Sequence, residues 1–456
     1  MNIINDETIA LIKSIDSTAY LVGGVVRDFL LGKPTNDKDI IVKDSSEFCR
    51  KFSEKYDCTV IPLDKELHIY RIVMPDKINY IDVVEPIEGS FEQNIKARDF
   101  TINALAYSLE SNEILDIVGG LDDLKTKTLR LISEENIIND PLRILRAYRF
   151  SSTLGFNIEE KTQNLIKKHL DLLMVPAVER RNYEVLKLFE GEFADVTLEM
   201  MSDIIDKMYP IFIDVKKVPK NTHHHLDLFH HSIETVKQLQ LLYEKSDKFV
   251  KEHLETKRFG GFSRLAYLKF AGFLHDIGKF SCWTIEGERH RFFKHESVGE
   301  NLAKDILKKD KFSKKQIEYI TSMIKNHMYP SQVVSSEDAS QKTYIRYIRK
   351  MDPDVIDNIL LAKADRLSAR GEAVTDAMVQ ENLESLDRLL EFYASIKETL
   401  KPLPKLVNGQ EVMKMKHLKP SPVVGVILDD LYKEQLAGNI TDREQALTFI
   451  REYKIT

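Results

Sequence analysis

Cysteine is scarce. Cys49, Cys58 and Cys282 are the three in 456 residues, and none stands at the spacing of a thiolate metal site, which fits a reducing, cytoplasmic setting. Long apolar runs are missing as well. No segment approaches the roughly 18 uninterrupted apolar residues of a membrane span, so no membrane association is expected. The start, MNIINDETIALIKSIDS, carries acidic residues where a signal peptide needs a basic, then apolar, stretch. Nor is there an excess of positive charge. The net charge is −6, so any contact with nucleic acid has to come from a local basic surface rather than the field of the whole chain. Internal repeats and low-complexity tracts are absent. With 43% hydrophobic and 30% charged residues, the remaining class is a soluble globular protein of two to four domains.

Residues 1–125 read as α/β. The runs AYLVGG, KDIIV, TVIPL, IYRIVM and YIDVV are short and β-rich, with turn residues and a helical SSEFCRKFSEKY between them. From about Leu124 the pattern becomes amphipathic helices, as in DPLRILRAYRFSSTLG, KTQNLIKKHLDLLM and AVERRNYEVLKLFEG. A Pro/Lys/His-rich link, VKKVPKNTHHH, marks a boundary. Three histidines in mid-chain argue against a tag. A second helical block runs to about Tyr393, and a Pro-punctuated helical tail follows. The expected domains are 1–125, 126–214, 215–393 and 394–456.

Within the first domain, Asp37 and Asp39 stand one residue apart in NDKDI. On a strand they share a face, and two such carboxylates suit the hard oxygen preference of Mg²⁺. Gly23-Gly24 allows close backbone approach to a phosphate, and Arg27 offers a fork-shaped donor. Alone, such a D-x-D is more often a chance turn than a site.

The ordered set is more specific. GGVVRDFLLG…NDKDI, RDFTINALAY (98–107), DIVGGLDDLKTKTLR (116–130), DPLRILRAYRFSSTLGF (140–156) and ERRNYEVLKLF (179–189) together resemble the class II tRNA nucleotidyltransferases (CCA-adding enzymes) and the related bacterial poly(A) polymerases. The resemblance implies an α+β protein. Its head would be a polymerase-β-like mixed sheet with helices, followed by an all-α neck, an HD domain and a tail. It implies Asp37 and Asp39 as Mg²⁺ ligands, Gly24 and Arg27 as triphosphate contacts, and Arg98 and Asp99 as the ribose-reading pair. Asp82, in YIDVV, is a candidate third carboxylate or an ordinary edge-strand acid.

Asp140, Arg143, Arg146 and Arg149, three apart, are expected on one helix surface. Cytosine and adenine both present an exocyclic amine beside a ring-nitrogen acceptor. An Asp140 carboxylate can accept from the amine while Arg143 donates to the ring nitrogen, and the carbonyls of uracil and guanine would face the carboxylate. The implied reaction is addition of C and A to the tRNA 3′ end from CTP and ATP without a template.

Three departures stand out. Asn139 occupies a position often acidic in relatives, and Ala97 one often arginine. The stretch between Asp39 and Arg98 lacks the flexible loop associated with the switch from CTP to ATP. A CC-adding enzyme and a poly(A) polymerase are therefore alternative readings. A third is an HD phosphohydrolase whose head only binds RNA.

Further on, His231, His275-Asp276 in FLHDIGK and Asp365 in KADRLSARG resemble the HD metal-dependent phosphohydrolases. His295 and His327 match extra ligands of two-metal members. Imidazole plus carboxylate suits Mn, Fe, Ni or Zn, in an active hydrolase or in a metal-bound scaffold. Residues 124–190 carry twelve Lys or Arg against nine Asp or Glu, a mild basic excess for the expected partner, a tRNA acceptor arm. For the tail, packing or contact with the tRNA elbow is the modest reading.

Overall fold

In this computed structural model, residues 6–35, 37–287, 289–336, 340–400 and 403–454 are described. The chain divides into two compact units, 1–210 and 211–456.

The first unit is built on a seven-stranded mixed sheet. Its strands are β1 (Tyr20–Val22), β2 (Asp37–Ile41), β3 (Thr59–Asp64), β4 (Ile69–Val73), β5 (Tyr80–Val84), β6 (Ala106–Ser108) and β7 (Ile114–Leu115), in the order β3-β4-β5-β2-β1-β6-β7. Only β2 and β5 pair in parallel. Side chains alternate between faces along each strand. Leu21, Lys38, Ile40, Ile72, Ile81 and Val83 are buried on the face covered by the helices Glu7–Ile15 and Ser45–Lys55. The second of these is capped by Asp44, whose carboxylate accepts from the Glu47 N–H at 2.9 Å. The opposite face packs Val22 and Ile41 against Ile95, Ala104 and Ala106, and Asp37, Asp39 and Asp82 share its side. The β2–β5 register sets Asp39 directly beside Asp82.

The five strands legible in the sequence are β1 to β5. The three residues of β6 and two of β7 are too short to show a period.

Behind the sheet come the helices Glu134–Asn139, Arg143–Leu154, Glu160–Lys168 and Val178–Glu190. One expectation needs correction here. Asp140 is not on the helix with Arg143, Arg146 and Arg149, but at the extended cap between two helices, with φ −139° and ψ 90°. Pro141 follows it, and the residue before a proline is pushed out of the helical region.

In the second unit the helix Arg264–Leu274 is buried along its whole length, as its near-uniform apolarity requires. The helices Leu228–Lys245, Lys314–Asn326 and Val355–Ser368 pack around it. Trp283–Glu286 and Arg289–Phe292, read as part of a helical block, form an antiparallel strand pair instead, with Trp283 opposite Phe292. Thr284, Ile285 and Glu286 are exposed, so burial leaves no alternating pattern to read. The tail has its own small core of Val412, Ile427, Leu431, Ala446 and Ile450. Among the described residues no helix is long and apolar enough to cross a membrane.

Candidate active sites in the head and in the helical unit

A polar cavity of about 280 Å³ in the first unit is lined by Gly24, Arg27, Asp37, Asp39, Arg98, Asp99, Arg146 and Arg149, with Phe150. Two carboxylates, Asp37 and Asp39, and the guanidinium groups of Arg27, Arg98, Arg146 and Arg149 line it together. Arg27, Arg146 and Arg149 surround the Phe150 ring, at 5.1, 5.3 and 4.0 Å from its centroid. An aromatic face attracts cations and fixes where they point. Arg27 is further held by Asn103 and by Asp28 at 2.8 Å.

The Gly23 φ is +79°, and a Cβ there would stand 2.2 Å from Arg98 Nη1 and 2.9 Å from Asp39 Oδ2. Only glycine lets the β1 turn pass so close to both. Arg98 Nη1 is 3.6 Å from Asp39 Oδ2. Burial raises the Asp39 carboxyl above its ordinary value, with Arg98 opposing and Asp82 reinforcing. Both oxygens of Asp82 accept from Arg71, each at 2.7 Å, a partner the sequence reading missed.

Arg98 and Asp99 do not pair with each other. Asp99 is buried, and its oxygens accept from the Phe100 N–H, the Asn103 amide and Arg146. Burial alone would raise its pKa. Arg146, Asn103 and the Phe100 N–H outweigh that and hold it far below the usual carboxylate range. Glu184, 3.6 Å from Arg146 and 3.3 Å from Arg149, is raised by burial against the opposition of these arginines. It too was missed, because a lone glutamate in a helix carries no visible signal.

Arg98, Asp99 and Arg146 also form a wall of a larger cavity of about 920 Å³, with Asp140, Arg143 and Arg180. Asp140 and Arg143 therefore meet at one cavity, joined by the Arg143 N–H donating to the Asp140 carbonyl at 3.1 Å, with no ion pair between their side chains among the described residues. Asp140 accepts from Arg180 at 3.1 Å, and Arg143 donates to the carbonyls of Arg98 and Ala97 at 2.9 and 2.7 Å. Arg149 faces the smaller cavity only.

In the second unit the six residues expected as ligands come together in two overlapping groups. His231, His275, Asp276 and Asp365 form one, and Asp276, His295 and His327 the other. Asp276 bridges them. Its Oδ2 is 3.3 Å from His231 Nε2 and 3.2 Å from His275 Nε2, while its Oδ1 is 3.3 Å from His295 Nε2 and 3.7 Å from His327 Nε2. The Nδ1–H groups of His275, His295 and His327 donate to the carbonyls of Gly272, Phe292 and Ile324 at 2.7, 2.8 and 2.7 Å. Carbonyls only accept, so each ring carries a proton on Nδ1, and in its neutral form turns an Nε2 lone pair toward Asp276. Both Asp276 oxygens and the Nε2 atoms of His231 and His275 are buried without a well-aligned hydrogen bond among the described residues. Burial opposes a charged His275, yet Asp276 and Asp365 push it up to about 10. His327 is pushed down to about 4 by burial and by His275. A buried carboxylate that faces four imidazole nitrogens is a donor set that fits one or two divalent transition ions.

Comparison with known proteins bears on both sites. A family model described as the poly A polymerase head domain matches residues 19–130, and the HD domain model matches residues 228–370. A model described as the probable RNA- and SrmB-binding site of polymerase A matches residues 155–204. The chain is 29% identical over 445 residues to the A-adding tRNA nucleotidyltransferase of Deinococcus radiodurans, covering 95% of each chain. It is 28% identical over 444 residues to the CC-adding tRNA nucleotidyltransferase of Thermus thermophilus, covering 95% of this chain and 93% of the relative. Over nearly its whole length the chain is similar to tRNA nucleotidyltransferases. Its fold is that of the Thermotoga maritima CCA-adding enzyme solved in complex with tRNA. That structure is 21% identical, with a TM-score of 0.58 over 98% of this chain and 95% of the other.

Three more residues of these two sites were not singled out by the sequence. Arg71 and Arg180 each hold an expected acid, and Lys279 reaches Asp276 Oδ2 at 2.6 Å.

Proposed function

We propose that this enzyme extends the 3′ end of tRNA with C and A, taking CTP and ATP without a nucleic-acid template. The observation that carries the reading is the shared wall. Arg98, Asp99 and Arg146 line both the small acidic and cationic cavity and the larger one containing Asp140 and Arg143. One cavity suits a triphosphate and its metals, the other a base.

The tRNA 3′-hydroxyl attacks the α-phosphorus, the bond to the bridging oxygen breaks, and pyrophosphate leaves. Asp37 and Asp39, joined on their face of the sheet by Asp82, would hold Mg²⁺, which when bound acidifies the hydroxyl and neutralises the leaving group. Arg27 and Arg149, fixed against Phe150, donate to triphosphate oxygens, and Gly24 offers no side chain to obstruct them. Arg98 is the ribose-facing donor, because four donors already engage Asp99, which acts by holding Arg146. Asp140 accepts from the exocyclic amine of C or A while Arg143 donates to the ring nitrogen. Positioning and fixed charge supply most of the acceleration. The acceptor arm of tRNA is held through its phosphates and shape.

A second reading has a specific observation behind it. Between Asp39 and Arg98 the longest connectors, 74–79 and 85–90, are six residues each, which leaves no long loop. An enzyme that adds only CC follows from that shortness. Supplying each nucleotide separately to tRNA lacking its CCA end, and to tRNA ending in CC, tests both. C on the first and A on the second supports full CCA addition, C alone the second reading, and long A tails a poly(A) polymerase.

For the HD unit we infer a transition-metal centre on His231, His275, Asp276, His295, His327 and Asp365, with phosphoester hydrolysis as its chemistry.

A further inference from the structure

Between the two acids of the small cavity stands a cation that does not enter it. Lys38 lies on β2 between Asp37 and Asp39, and the alternation of a strand sends its side chain to the opposite face of the sheet. There it is 2% exposed. An ammonium so buried has to be paired and hydrogen-bonded, because an unpaired charge in a dry interior is costly.

Two partners meet that need. Lys38 Nζ is 3.0 Å from Asp6 Oδ2, and it donates to the Thr35 carbonyl at 3.3 Å. Both partners have a second task. Asp6 caps the helix Glu7–Ile15, its Oδ1 accepting from the Ile9 N–H at 3.1 Å. Thr35 lines the small cavity together with Asp37 and Asp39, and its Oγ1 donates to the Asp37 carbonyl at 3.2 Å. The ammonium thus ties a capped helix to the loop that enters β2.

The two carboxylates need that tie unequally. Asp39 is paired on both sides, with Val22 of β1 and Asp82 of β5. Asp37 lies beyond the last paired residue of β1, and among the described residues its strand partner is Tyr80 of β5 alone. Its place therefore depends on the loop before it, which Lys38 and Thr35 hold.

We propose that Lys38 is a positioning residue for the acidic pair: from the far face of the sheet, by gripping Asp6 and the Thr35 carbonyl, it fixes where the Asp37 carboxylate sits in the cavity. This role rests on the reading of Asp37 and Asp39 as Mg²⁺ ligands and adds a residue behind them. Lys38 acts through the loop, not by contact with metal or nucleotide.

The test is amide hydrogen exchange of the full chain, followed in residues 33–41 while Mg²⁺ is titrated, beside steady-state incorporation from CTP. The exchange readout is local, so ions bound in the second unit do not register, and it reads the site whether or not CTP is incorporated. Lys38→Met keeps the buried volume and removes the donors. In the metal-free chain it should speed exchange in 33–37 severalfold and leave 39–41 unchanged. Its midpoint for Mg²⁺ should rise about tenfold or more, the usual loss when the partner behind a metal ligand is removed. The KM for CTP at saturating Mg²⁺ should change by less than about twofold, whereas general loosening of the head would raise both. Thr35→Val leaves the buried charge paired and removes one hydrogen bond to the Asp37 backbone, and should raise the Mg²⁺ midpoint about threefold. A Mg²⁺ midpoint unchanged in both variants, or equal rises in that midpoint and in the KM for CTP, overturns the proposal alone. Absence of Mg²⁺ protection of 33–41 in the wild-type chain defeats the ligand reading, and the proposal with it.

Discussion

Arg146 holds Asp99 through two donors on one oxygen, Nη2 at 2.5 Å and Nε at 2.8 Å. The pair joins the helix Arg143–Leu154 to the RDF turn, where both cavities meet. Removing either partner leaves the other charge poorly satisfied. Asp99→Ala and Arg146→Ala should each destabilise the fold by about 2–3 kcal/mol and raise the KM for CTP more than tenfold, with a coupling of about 1–3 kcal/mol in the double-mutant cycle. Arg146→Lys should not rescue, since a point charge cannot supply two parallel donors. Additive losses, read by denaturant unfolding and steady-state incorporation, would speak against the pairing.

The same pair predicts a pH dependence. Asp99 is depressed in the folded state below an unfolded value of about 3.9. Its contribution to stability is therefore complete above the unfolded value and lost as pH falls through the folded one. In Asp99→Asn the slope of unfolding free energy against pH between about 5 and 3 should be shallower, by up to about 1.4 kcal/mol per pH unit. Equal slopes would mean that Asp99 does not carry the linkage.

Gly23 and Gly32 give a controlled comparison. Both have a positive φ, +79° and +67°, but a Cβ on Gly32 meets nothing within 4 Å. Alanine at Gly32 should cost about 1–2 kcal/mol of stability from backbone strain, and alanine at Gly23 more, because its ψ of −137° lies outside the left-handed region. Only Gly23→Ala should also displace Arg98 and lower nucleotide incorporation, by about tenfold or more. Equal activity losses would remove the close-approach argument.

The metal centre of the HD unit predicts that metal analysis of the full chain finds a transition ion, and that His275→Ala with Asp276→Ala loses it. Nucleotide incorporation by the head should survive chelation followed by Mg²⁺ resupply. Retention of the ion by the double variant would exclude the assigned ligands.

How much could be read in advance depends on how local each signal is. Asp37 and Asp39 were legible because a strand period of two puts them on one face, and His275-Asp276 because, with His231 and Asp365, the pair resembles the HD phosphohydrolases. The partners were not. Arg71 lies on a neighbouring strand, Arg180 forty residues beyond Asp140, and Glu184 on a separate helix, so only the tertiary fold brings them in. Asp140 left its expected helix because of Pro141.

The most direct test of the central claim is incorporation of labelled CTP into tRNA lacking its CCA end, comparing the wild-type chain with Asp37→Ala and Asp39→Ala. Loss of incorporation by about a thousandfold or more in both variants, with the fold retained by circular dichroism, is the predicted result. Unchanged incorporation in either variant would contradict the account.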